Sequence, residues 1–249
     1  MNQAVSDFNQ KALSFVKTNE QVSSFKAVND AGINAFTAMP FPTRKTESWK
    51  YTSLHALTKQ DFNQAVEPVV SPANVDFSIN DLDSIELVFV NGQYQAELSS
   101  IQSQAGLELV RFSDATKEQL ALIEQHLGKN AETERNLFTA LNNAQVNDGV
   151  FVFVSKNTQL NKPIQIVNIT QAQSSPATAF NRCLVVLEQH AQASVIEQFV
   201  STDENQNVVF NQVTEIVVGD GAQLTHYRLH KEHESSLHFG GVYVDLNRD

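Results

Sequence analysis

Leu184–Phe199 reads LVVLEQHAQASVIEQF, and Glu215–His230 reads EIVVGDGAQLTHYRLH, the same pattern 31 residues later. Each copy runs apolar strand, short polar turn, Ala-Gln (Ala191-Gln192 and Ala222-Gln223) and an alternating second strand. A third copy starts near Val242 as VYVDLNRD and reaches Asp249 where its turn should fall. Strand pairs recurring at this period predict stacked coils of a β-solenoid, in which one coil cannot bury its apolar face alone. Solenoid ends need caps, because an open end leaves backbone and core unpaired. No cap is legible after the third copy, so the sequence reads as the N-terminal part of a longer protein.

Working outward from the repeat, strands are expected at Val150–Val154, Ile164–Ile169, Cys183–Leu187, Val195–Val200, Val208–Val218, Leu224–Leu229 and Phe239–Leu246. A boundary near residue 146 would separate this solenoid, 147–249, from a helical and α+β region, 1–146. Phe8, Ala12, Phe15 and Val16 share one helical face. A second helix is expected from about Glu20 to Ala38, with Val22, Phe25, Val28, Ile33 and Phe36 among its apolar residues. Gly32 weakens the middle of this helix by about 1 kcal/mol relative to Ala. Pro40 and Pro42 then force an extended path. Asn91-Gly92 between alternating runs signals a hairpin, since both turn positions need positive φ. A short strand follows at Leu107–Phe112. The next helix is expected to start at Ser113 or Asp114 and to close at Gly128, and another to span Glu132–Gln145.

Bulk properties exclude several functions. The 249 residues carry a formal net charge of −11, which lacks the cationic surface that nucleic acids or anionic membranes require. Apolar runs such as Val150–Val154 are strand-sized, far short of the roughly 18 residues of a spanning helix. The N-terminus has no secretory signal pattern, and one cysteine fits a reducing compartment. A cytoplasmic protein is expected.

Catalytic patterns are sparse. Cys183, the single thiol, opens an apolar strand and reads as buried and inert. His226, His230, His233 and His238 crowd the last 24 residues, and His226 and His230 share strand parity. Their spacing fits no zinc signature, so they read as solvated turn and strand-face residues. Glu188, Glu197 and Glu215 fall on separate elements, whereas a polysaccharide-cleaving solenoid needs a close carboxylate pair. The FPTRKTESWKYTSL segment at 41–54 mixes Arg44, Lys45, Glu47 and Lys50 with Trp49 and Tyr51. Read as extended chain, it places Trp49 and Tyr51 on one side and Lys50 on the other. It is either an aromatic anchor for the N-terminal helices or a protein-partner contact.

That segment resembles the SufD-type subunits of the SUF iron–sulfur cluster assembly system. VFVNG at 88–92, NLFTALNNAQVNDGVFVFV at 136–154, NKPIQIV at 161–167 and NQVTEIVVGDGAQLTHYRL at 211–229 agree in order. The resemblance implies a mainly β protein, a right-handed parallel β-helix preceded by a helical domain. It implies a non-enzymatic scaffold that pairs with a SufB-like subunit through late coils and with a SufC-like ATPase through C-terminal helices. The whole complex would handle iron–sulfur clusters and acquire iron. No histidine here, nor Cys183, matches a residue implicated in the family, so no bound cofactor or metal is expected of this chain. Its open solenoid edge could pair with a second copy. The readings that compete are a carbohydrate-active solenoid enzyme and a stand-alone binding module.

Overall fold

The computed structural model describes residues 3–18, 23–59, 63, 76–131, 133–202 and 204–249. Glu20, Val22 and Glu132, named above, lie outside the described residues. Helices α1 (Gln3–Thr18) and α2 (Lys26–Ala38) lead to strands β1 (Ile85–Val90), β2 (Gln93–Tyr94) and β3 (Leu107–Arg111). Helices α3 (Lys117–His126) and α4 (Leu137–Gln145) follow. Strands β4 (Val150–Val154), β5 (Ile164–Thr170), β6 (Ala177–Leu187) and β7 (Gln192–Ser201) come next, then β8 (Val208–Val218), β9 (Gln223–Lys231) and β10 (Leu237–Leu246).

The strands stack into two sheets, β2-β1-β5-β7-β9 and β10-β8-β6-β4-β3, which form a β-solenoid of about three turns. The repeat is the ladder register itself. Leu184 pairs with Glu215 in the parallel β6–β8 ladder, and Phe199 pairs with His230 in β7–β9, as the sequence offset requires. Both sheets run across residue 146: β1 pairs in parallel with β5, and β3 antiparallel with β4.

Alternation within each strand separates an interior from an outer face. Val150, Val152, Val154, Ile164, Ile166, Cys183, Val185, Val195 and Ile216 converge from both sheets into one buried cluster. Phe151, Phe153, Leu184, Val186 and Val217 point the other way and pack on Phe25, Phe112, Ile123 and Leu127 of the helical region. Covered on both faces, these strands read as unbroken apolar runs. The turns stack too. Asn157, His190 and Gly221 occupy the same corner of successive coils, all with φ near +60 (59, 59 and 62). Asn157 N donates to Gln189 O at 3.0 Å, and His190 N to Asp220 O at 3.0 Å.

Helix α4 is buried along its whole length, between α1 and α2 on one side and the solenoid on the other. Asn136 caps it, accepting from Phe138 N at 2.9 Å and Thr139 N at 3.3 Å, so it begins later than the expected Glu132. Asn29 of α2 donates to Asn143 O and Val146 O, both at 2.9 Å, and satisfies carbonyls at its C-terminal end. Gly32 is the reason the two helices can touch. A Cβ there would lie 2.3 Å from Ala144 N and 2.7 Å from Ala140 O, and α2 is unbroken across it. Helix α3 starts after Thr116, not Ser113 or Asp114, which form a short 3-10 turn. Thr116 and Gln119 cap each other there, with bonds of 2.9 and 3.3 Å. The hairpin turn at Asn91-Gly92 has φ of 49 and 80, as its dipeptide requires.

Candidate functional site

Two buried polar groups and one aromatic contact stand out against this apolar framework. On the outer face of the β8 wall, Glu215 carries no exposed surface. Its carboxylate accepts from Gly128 N at 2.8 Å and from Asn130 N and Ala131 N at 3.1 Å, and it pairs with the Arg182 guanidinium. Arg182, also buried, donates to Asn142 Oδ1 at 3.0 Å and Asn143 Oδ1 at 2.6 Å of α4. This network ties the α3–α4 connection, α4, β6 and β8 together. Burial pushes the Glu215 carboxyl up, but the Arg182 charge and the Gly128 and Ala131 N–H groups outweigh it. The net effect holds Glu215 below the ordinary carboxylate value.

The second polar group lies inside the solenoid. The interior of the first coils is hydrocarbon, but one flank turns polar along the axis. Asn181 donates to Asn168 at 2.6 Å. In the next coil Glu197, wholly buried, accepts from Thr214 Oγ1 at 2.8 Å and from Gln212, and meets His226 Nε2 at 2.8 Å. Arg228 is in register with Glu197 one coil on, its Nε 3.6 Å from the carboxylate and its guanidinium 4.7 Å over the Phe199 ring.

The histidines gather at the far end of the same flank. His230 Nδ1 and His238 Nδ1 stand 3.1 and 2.7 Å from one oxygen, Oε2 of Glu232. Phe199 stacks on His230 at 4.7 Å and meets His238 edge-on at 4.6 Å; Phe210 closes on His238 at 5.4 Å. Burial pushes the Glu232 carboxyl up, while the hydrogen bonds from His238 and His230 bring it below its ordinary value. The structure thus corrects the reading of His226 and His238 as solvated, whereas His233 is exposed and His230 keeps 47% of its side-chain surface. The shared parity of His226 and His230 does place both on the inner face. His238 joins them from β10, because it pairs with Phe210, which also points inward.

Residues 41–54 do not run as extended chain. Glu47–Trp49 forms a single 3-10 turn, so Trp49 and Tyr51 part company. Trp49 packs on Phe138 of α4 at 5.0 Å and Phe239 of β10 at 6.2 Å, whereas Tyr51 is 91% exposed. Arg44, Lys45, Glu47 and Lys50 are exposed, with Lys50 Nζ 5.3 Å from the Tyr51 ring. Cys183 is fully buried, and burial pushes its thiol well above the usual range. The three glutamates are scattered: Glu188 is exposed and accepts from Lys156 N at 2.8 Å, Glu197 faces the interior, and Glu215 lies beneath the helices. Neither buried carboxylate can meet a polysaccharide in a groove.

Parallel coils with an inner polar flank and a helical layer packed on one wall define a β-solenoid protein. Residues 2–166 match the family model described as SufBD protein N-terminal region, and 168–249 match SUF system FeS cluster assembly, SufBD core domain. The chain belongs to the SufBD family. It is 30% identical over 200 residues to the iron–sulfur cluster assembly protein SufD of Escherichia coli, covering 80% of this chain and 44% of that protein. It is 29% identical over 197 residues to SufD of Bacillus subtilis, covering 76% and 44%. A SufBD family protein of Synechocystis is 28% identical over 216 residues, covering 83% and 48%. The chain therefore spans about half the length of these relatives.

Proposed function

We propose that the chain serves as a non-enzymatic scaffold subunit in iron–sulfur cluster assembly, working in the cytoplasm with a SufB-like solenoid subunit and a SufC-like ATPase. The observation that carries this is the match of both SufBD family models, which together take in nearly the whole chain. The physical chemistry supports it. The sole thiol is buried, and burial holds it in its protonated form, while Glu197 and Glu215 are also buried. Strands β9 and β10 end their sheets, and nearby Tyr227, Val244 and Leu246 are exposed, which supports pairing with further β-structure. Among the described residues no helix is long and apolar enough to cross a membrane.

Native mass spectrometry of the protein isolated anaerobically from its own cells tests this reading. Co-purification with a second SufBD-family subunit and an ABC-type ATPase is expected. Recovery of the protein alone would overturn the scaffold reading in favour of a stand-alone binding module.

A further inference from the structure

The His230–Glu232–His238 cluster is more than a hydrogen-bond bridge. Their ligand atoms all lie within 4.8 Å of one another, and the two His–Glu separations are 3.1 and 2.7 Å. An ion about 2.1 Å from each donor of a tetrahedral shell holds those donors roughly 3.4 Å apart. The two observed spacings are shorter by about 0.3 and 0.7 Å, a difference that small side-chain rotations absorb. The rings are held before any ion arrives: Phe199 and Phe210 wall them on the interior side, and the His230 and His238 centroids stand 5.0 Å apart. Glu232 and His238 keep only 9% and 11% of their side-chain surface, whereas His230 keeps 47% and leaves an opening to solvent.

With no ion, a single carboxylate oxygen, Oε2 of Glu232, is shared by both Nδ1 atoms. Arg228 lies over Phe199 and beside the Glu197 carboxylate, which offsets its charge. Among the described residues the ion-pair partners of Glu232 are the two imidazoles. Two imidazole nitrogens and one carboxylate suit borderline first-row divalent ions rather than calcium or magnesium, which prefer all-oxygen sites.

We propose that His230, Glu232 and His238 form a binding site for one divalent first-row transition-metal ion, of the Zn²⁺ and Fe²⁺ class. Water or a further side chain completes the shell on the side that His230 leaves open. The site is distinct from the Arg182–Glu215 network and does not depend on the assembly role proposed above.

Calorimetric titration of the chelator-stripped protein with Zn²⁺ tests it, with Co²⁺ absorption as a second readout. One ion per chain is expected, with imidazole-ligated Co²⁺ bands in the visible. Glu232→Gln and His230→Ala should each weaken binding by at least about tenfold. His55→Ala, at an exposed position outside the cluster, should bind as the wild type does. His230 is half exposed, so His230→Ala keeps the test valid if Glu232→Gln folds poorly; far-UV circular dichroism reports that. Absence of saturable Zn²⁺ binding, or equal binding by wild type and His230→Ala, would reduce the cluster to a hydrogen-bond bridge and overturn the proposal.

Discussion

Replacing Glu215 by Gln tests the idea that a buried ion pair bolts the helical region to the solenoid wall. The substitution keeps the shape but removes the charge that faces Arg182, and both side chains are essentially without exposed surface. Arg182 keeps Asn142 and Asn143 as partners, but with both side chains buried its charge is left without a counter-charge. The new amide can accept from some of the Gly128, Asn130 and Ala131 N–H groups, but its NH₂ must then face a donor. Breaking a buried pair on one side costs about 3–5 kcal/mol, and the intact acceptor oxygen places Glu215→Gln near the middle, about 4 kcal/mol. At a urea slope of about 3 kcal/mol/M, the midpoint should fall by roughly 1.3 M. Arg182→Met combined with Glu215→Leu should cost less than the sum of the two single changes, by about 1–3 kcal/mol, because no charge is left stranded.

The same carboxylate should imprint a pH dependence. Its folded pKa lies below its unfolded one, so the stabilisation is complete above the unfolded value, about 4.3, and is lost as pH falls toward the depressed folded value. Wild type should therefore lose stability on acidification more steeply than Glu215→Gln. Equilibrium unfolding in urea from pH 7 down to 3, for wild type, the single variants and the double variant, measures all of this. A Glu215→Gln cost under about 1 kcal/mol, or strictly additive single changes, would refute the reasoning.

Two further substitutions probe the packing. Gly32→Ala should destabilise by about 1–3 kcal/mol net, read from the thermal unfolding midpoint, because its Cβ meets the α4 backbone at 2.3 Å. A gain, as helix propensity alone would give, would mean the helices can separate at little cost. Trp49→Ala should cost about 2 kcal/mol and speed proteolysis of residues 39–59, since the half-buried ring bridges Phe138 and Phe239. Tyr51→Ala, at a 91% exposed ring, should stay within about 0.5 kcal/mol; comparable effects at 49 and 51 would argue against an anchor at Trp49 alone.

What could be read from the sequence follows from how far each determinant reaches along the chain. The 31-residue offset predicted the β6–β8 and β7–β9 registers because coils of equal length stack residue on residue, whereas β10 pairs with β8 at an offset of 28. Asn91-Gly92 was equally legible, since a turn is made by the residues that occupy it. The start of α3 was readable in principle: Thr116 and Gln119 have capping-box spacing, which outranks the nearer Ser113 and Asp114. Gly32 was misjudged because propensity describes a helix in isolation, and the reason for a glycine there lies across the interface on α4, over 100 residues away. Arg182 and Glu215 gave no local signal at all, since each looks like an ordinary strand residue until the coils stack and α4 descends with Asn142 and Asn143.

The histidines fall between these limits. Strand parity correctly places His226 and His230 on one face, but parity alone cannot say whether that face is wet or enclosed. Closure of the coil decides it. Pairing His238 with Phe210 in the β10–β8 ladder turns it inward, and the loop after β9 brings Glu232 between the two rings. A hydrophobic interior would repel such a trio. This one is accepted because the coil before it already carries Glu197, Gln212 and Thr214 on the same flank, so each polar layer has another to lean on. A chain that only needed a rigid solenoid would have continued the valine and isoleucine filling of its first coils. The change from hydrocarbon to Glu, Arg and His along one axis is therefore the feature that the proposed metal site would account for.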